Sequence, residues 1–206
     1  TSEEPSESQK WSIFIDQKWL GPFSLEELNQ LDGFKPDQWI KLEGQESVKH
    51  AYEDKALMGL FRQGSEDGKW DCPHCKTPLA ETSYEGAQVH KCSYCEGVFV
   101  EADKISRILI RQDKEFSEET IRTAQGILKE REKFVKGFTK ANLENAWILD
   151  CPKDKNKMRR QFFVYSYPVE IDRCVSCGGI WFDKQELEIL QYIYEHKEQF
   201  FDGKDF

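Results

Sequence analysis

Apolar positions along the chain fall into short alternating runs and short helical stripes, never into one long block. Trp11-Ser12-Ile13-Phe14-Ile15-Asp16 alternates with the period of a half-buried strand, and 17–20 reads as a second strand after a turn. Gly21-Pro22-Phe23-Ser24 follows, with Ser24 placed to cap an amphipathic helix over 25–31. A strand over 38–42, a turn at Gly44-Gln45 and an exit through 48–52 complete a first module. Two hairpins come later. One joins 79–84 to 87–91 through Glu85-Gly86, and the other joins 160–165 to 169–173 through a turn near Ser166-Tyr167-Pro168. Each leads into a short apolar run and then a helical pattern, over 102–110 and 184–190; Asp183 stands in the N-cap position, with Glu186 three residues on as its capping-box partner. Between the hairpins, Ile121, Ala124, Ile127, Leu128, Phe134, Val135 and Phe138 recur at helical spacing, with Gly137 near the end. This stripe is expected to pack on its own domains as a strut that sets their spacing.

Composition changes the picture in one respect. With 206 residues, 38% apolar and 33% charged, one large core is thinly supplied, so several small modules held partly by something other than burial are expected. No run of about 18 apolar residues is long enough to span a bilayer, and no signal-peptide pattern opens the chain. The start at Thr1 suggests a processed piece, and the polar residues 1–10 read as a disordered tail. A net charge of −9 argues against a general nucleic-acid binder, which needs clustered cations to displace counterions from phosphates. The best local basic patch, Lys153, Lys155, Lys157, Arg159 and Arg160, reads more simply as a solvated loop.

Cysteine spacing carries the strongest signal. Cys72-Pro-His-Cys75 and Cys92-Ser-Tyr-Cys95 form two C-x2-C turns, the arrangement that presents four thiolates to one tetrahedral zinc. Disulfides fit less well, because a C-x2-C bridge is locally strained and nothing points to an oxidising compartment. Four thiolates leave no place for His74 or His90, which are expected to be exposed polar residues. The pattern then repeats. Asp150-Cys151-Pro152-Lys153-Asp154 parallels Asp71-Cys72-Pro73-His74-Cys75, and Cys174-Val175-Ser176-Cys177-Gly178-Gly179 parallels Cys92-Ser93-Tyr94-Cys95-Glu96-Gly97. Asp154 replaces the fourth cysteine, and a carboxylate is a legitimate zinc ligand; the alternative is a degenerate module folding without metal. Two zinc ions are therefore expected, on Cys72, Cys75, Cys92 and Cys95 and on Cys151, Asp154, Cys174 and Cys177.

The run Cys174-x2-Cys177-Gly178-Gly179-Ile180-Trp181-Phe182-Asp183-Lys184-Gln185-Glu186-Leu187 resembles the bacterial "transcription factor zinc-finger" family, a zinc ribbon like that of the general factor TFIIB. The first copy keeps all four cysteines, with Glu96, Phe99 and Glu101 at positions where the family has Gly, Trp and Asp. The resemblance implies ribbon folds and structural zinc. Residues 11–58 are similar to the GYF-like (GYF_2-type) module through Gly21-Pro22-Phe23-Ser24, Glu27-Leu28, Gly33, Trp39-Ile40, Gly44 and Ala51. That likeness implies docking of proline-rich segments on exposed aromatics, with Trp19 and Phe23 the chosen candidates among Trp11, Phe14, Trp19, Phe23 and Phe34.

No nucleophile–base pair, phosphate loop or paired-carboxylate site emerges, and zinc with four protein ligands has no open position for water. The expectation is an α+β chain of small modules: a tail (1–10), a GYF-like domain (11–58), a first ribbon (69–112), a helical connector (113–147) and a second ribbon with its C-terminal helix (148–198). It would serve as a cytoplasmic, non-enzymatic adaptor for a protein partner. The alternatives are association with nucleic acid or RNA polymerase, or the soluble regulatory part of a membrane protein.

Overall fold

The computed structural model describes residues 9–61, 69–111, 113, 115–133 and 149–196. Most of the tail and the connector positions Phe134, Val135, Gly137 and Phe138 lie outside the described residues. The chain divides into two compact units, Thr1–Pro78 and Leu79–Phe206.

The first unit runs β1 (Trp11–Ile15), β2 (Lys18–Phe23), α1 (Leu25–Gln30), β3 (Trp39–Leu42), β4 (Val48–His50), a 3-10 turn (Ala51–Glu53) and α2 (Lys55–Phe61). Its antiparallel sheet has the order β2-β1-β3-β4. Strand alternation sends Trp11, Ile13 and Ile40 inward, where they are buried along with Leu28 of α1, Phe34, and Leu57 and Phe61 of α2. Ser24 caps α1 with a reciprocal box: its hydroxyl accepts the Glu27 amide at 3.2 Å, and the Glu27 carboxylate accepts the Ser24 amide at 2.7 Å. The helix α2 has no forecast in the apolar pattern. It starts where Asp54 accepts the Ala56 amide (3.0 Å), while the other carboxylate oxygen takes the Trp11 indole (3.1 Å) and the Lys49 ammonium (3.0 Å).

The second unit contains β5 (Ala80–Tyr84), β6 (Ala87–Lys91), β7 (Val98–Val100), α3 (Ala102–Ile110), α4 (Glu118–Lys129), β8 (Met158–Val164), β9 (Tyr167–Cys174), β10 (Ile180–Phe182) and α5 (Glu186–Glu195). These strands form one six-stranded sheet in the order β5-β6-β7-β10-β9-β8. The two repeats are fused edge to edge through β7 and β10, in the register Val98↔Phe182, Phe99↔Trp181 and Val100↔Ile180. Phe99 and Trp181 occupy equivalent places in the repeat, so a local two-fold passes between them. Each ring covers the other repeat's glycine. A Cβ at Gly97 would lie 2.2 Å from Trp181, and one at Gly179 would lie 2.5 Å from Phe99.

This fusion corrects two expectations. The apolar interior is not thin: Val89, Val100, Ile108, Ile171, Ile180, Phe182, Leu187, Leu190 and Ile193 pool into one buried cluster, because the apolar faces of both repeats meet on one sheet. Nor does α4 space the repeats apart. Ser117 caps it by accepting the Thr120 amide at 3.1 Å, and it lays buried Ala124, with Ile121, Ile127 and Leu128, onto the shared core. Gln191 of α5 ties the repeats further: its side-chain oxygen accepts the Tyr84 hydroxyl at 2.7 Å and its amide donates to the Arg111 carbonyl at 3.1 Å.

Three local details also differ from the sequence reading. The second hairpin turns at Tyr165-Ser166, with Pro168 inside β9, where an irregular register between Phe162 and Val164 accommodates a residue without an N–H. Asp183 does not cap α5. Its carboxylate accepts the Trp181 indole at 2.9 Å and the helix begins at Glu186, whose own carboxylate returns to the Asp183 amide at 2.7 Å. His90 is buried rather than exposed: it lies on the face of β6 opposite Ala87 and Val89, in register with buried Phe99.

Candidate metal centres and an open aromatic face

The four C-x2-C or C-x2-D turns share one backbone design. Cys72 and Cys151 donate their amides to Thr77 (2.7 Å) and Asn156 (2.8 Å), and their carbonyls accept from Lys76 (3.0 Å) and Lys155 (2.9 Å). Both lysines hold the left-handed conformation that reverses the chain. Cys92 and Cys174 donate to Gly97 (2.9 Å) and Gly179 (2.8 Å) in the same way. Asp154 thus occupies the Cys75 position on an otherwise unchanged loop.

These turns bring Cys72, Cys75, Cys92 and Cys95 together, and Cys151, Asp154, Cys174 and Cys177 together. Within each group the ligand atoms lie within 4.8 Å of one another. The Cys151 and Cys177 sulfurs are 3.6 Å apart, and Cys174 Sγ lies 3.4 Å from Asp154 Oδ1. Ligands around a tetrahedral zinc with Zn–S near 2.3 Å would be ~3.8 Å apart, whereas a disulfide would bring its sulfurs to ~2.05 Å. All seven cysteines are free thiols, so the disulfide alternative falls. Backbone amides aim at the sulfurs: Cys75 N–H at Cys72 (3.3 Å), Ser176 and Cys177 N–H at Cys174 (both 3.4 Å) and Gly179 N–H at Cys177 (3.4 Å). Burial pushes the Cys151 and Cys177 thiols above the ordinary range, so a metal that claims them must displace protons. Desolvation works against Asp154 as well, but donors from Asn156 and from the Cys151 and Cys174 thiols hold its carboxyl below the usual range.

Both cysteine-bearing segments match the transcription factor zinc-finger family. The family model covers residues 71–111 and 150–191. No curated protein and no solved structure matches the chain. The two ribbons carry donor sets that fit two zinc ions, one on four thiolates and one on three thiolates and a carboxylate. Each set has four donors, the number a tetrahedral zinc takes.

Three of the five cations in the basic patch on the second ribbon are ion-paired. Lys153 bonds Glu101 (2.5 Å), Lys157 bonds Asp150 (2.7 Å) and Arg160 bonds Asp172 (3.0 Å). Lys104 and Lys153 together draw the Glu101 carboxyl down to about 2.

In the first unit, Trp19 and Phe23 do not share a face. Trp19 pairs with Phe14 on the outer side, whereas a bulge between Ile13 and Trp11 puts Phe23 opposite buried Trp11. Of the other aromatic candidates, Trp11 and Phe34 are core residues, and Phe34 packs on Phe61 with ring centroids 5.3 Å apart. The outer face instead carries a row that sequence reasoning did not assemble. Trp19 and Phe14 are in ring contact at 5.3 Å, the β1–β3 register continues to Trp39, Trp39 stacks on His50 at 3.8 Å, and His50 stacks on Tyr52 at 5.1 Å. Trp19 is 43% exposed and Trp39 45%. A groove beside Trp19 is walled by Pro22, Ser12 and Lys41. Period-two alternation on either side of the 38–42 strand was the signal that could have found Trp39.

Proposed function

We propose that the chain is a non-enzymatic, cytoplasmic adaptor: two zinc ribbons form a rigid base, and the first unit docks extended, proline-rich segments of a protein partner. The observation that carries this reading is the aromatic row on the outer face of the β2-β1-β3-β4 sheet. Large exposed rings in line across a sheet are costly to leave in water and suit a polyproline II helix, whose ridges stack on flat aromatic surfaces. The likeness of residues 11–58 to GYF-like modules supports the same ligand class. Charge favours an uncharged or basic partner, since residues 1–78 hold 15 acidic and 9 basic side chains, a net of −6. Nucleic acid, the second reading, has the ribbon family's name in its favour, but Lys153, Lys157 and Arg160 of the second ribbon's basic patch are engaged by carboxylates. Among the described residues no helix is long and apolar enough to cross a membrane.

A proline-rich peptide array against the full chain, followed by titration calorimetry on the best sequences, tests the reading. Binding should weaken at least ~10-fold on Trp19→Ala and change little between low and high salt. Absence of any ring-dependent peptide binding, or affinity for RNA that falls steeply with salt, would replace it with the second reading.

A further inference from the structure

The two metal centres sit on matching loops yet differ at one donor, and that difference has a physical consequence. Zinc is a borderline-soft ion for which thiolate is the stronger partner, and replacing one sulfur by a carboxylate oxygen weakens the set and speeds ligand exchange. Cys75 is buried at 1% exposure, whereas Asp154 is only partly buried, so water and competing ligands reach the second centre at its weakest bond. Asp154 Oδ1 also accepts the Asn156 amide at 3.1 Å, a bond that gives the carboxylate a resting partner when no ion claims it. The surrounding fold also has contacts that do not involve the metal ligands. Strand β10 is held by β7 and β9, Trp181 is sealed over Gly97, and Ile171, Ile180, Phe182, Leu187 and Leu190 lie in the common core.

We propose that the second centre is an exchangeable zinc site, in which Asp154 is the arm that admits and releases the ion while the six-stranded sheet stays folded, and that the all-thiolate centre retains its ion. Exchange reshapes only the knuckles over 151–155 and 174–178. The second of these carries Val175, 72% exposed, so zinc supply would set the form of that surface.

Full-length protein loaded with two equivalents of zinc, mixed with a chromophoric chelator, should release one equivalent on the order of 100-fold faster than the other. Far-UV circular dichroism should stay unchanged until the slow phase. Asp154→Cys should convert the fast phase into a slow one. Asp154→Asn, which keeps an oxygen for the Asn156 amide but loses the charge, should make it faster still. The reciprocal Cys75→Asp should add a second fast equivalent. The proposal is overturned by a single phase releasing both equivalents, by a fast phase that survives Asp154→Cys, or by loss of the dichroism signal with the first equivalent.

Discussion

Gly97→Ala tests the fusion of the two ribbons at its centre. The added methyl would sit 2.2 Å from Trp181 Cζ2 and 2.8 Å from Cε2, whereas carbon atoms in contact stand ~3.5 Å apart, so ring or strand must move by about 1.3 Å. Neither has room. Trp181 is fully buried and its indole is anchored to Asp183 at 2.9 Å, while the Gly97 carbonyl holds the Cys92 amide at 2.9 Å. Overpacking of this kind costs about 3 kcal/mol, and the stiffer unfolded chain returns ~0.5–1 kcal/mol, leaving a net loss of about 2–2.5 kcal/mol. Urea unfolding followed by circular dichroism, with zinc in fixed excess so that metal linkage is constant, measures it. Trp181→Phe, which copies the ring found at Phe99, should recover at least ~1 kcal/mol in the Gly97→Ala background relative to additivity. A Gly97→Ala protein within ~0.5 kcal/mol of the parent, or strictly additive with Trp181→Phe, would refute the interlock.

Three further expectations follow from individual side chains. Burial first, then the Asp183, Asp172 and Glu170 carboxylates, push Glu186 up to about 8, so it folds protonated and its contribution is complete below about 4.5 and lost as pH rises through about 8. The full shift sets a ceiling of about 5 kcal/mol; Glu186→Gln, which keeps an acceptor for the Asp183 amide, should gain ~1–2 kcal/mol over the parent at pH 8 and little at pH 5.5, read from paired denaturation curves. Gln191→Ala removes a buried side chain that bonds the Tyr84 hydroxyl and the Arg111 carbonyl, both at part-buried sites, and should cost ~1–2 kcal/mol in the same assay. Gly126→Ala should act in the opposite direction, adding ~0.5–1 kcal/mol, because nothing lies within 4 Å of the new methyl on α4 and helix propensity improves.

Legibility in the sequence divided along a physical line. Local chemistry could be read directly: two residues between thiolates define a metal turn, Glu85-Gly86 between alternating runs defines a hairpin, and Ser24 three residues before Glu27 defines a helix start. Each depends on residues that touch because they are close in the chain. Asp183 misled for the opposite reason. Its capping signature is genuine as spacing, but the Trp181 indole took the carboxylate first. Trp19 and Phe23 were paired by proximity in sequence and then parted by a bulge, which reverses the facing of every residue beyond it.

The order of donors along the chain therefore determines the two zinc ribbons, including the carboxylate at Asp154. Tertiary structure alone decided that the ribbons share a sheet, that their apolar faces make one core, and that five rings from four strands and the turn after them line up in the first unit. Those features arise from pairings between distant edges, where register and complementary shape set the outcome, and neither is written in the spacing of neighbouring residues.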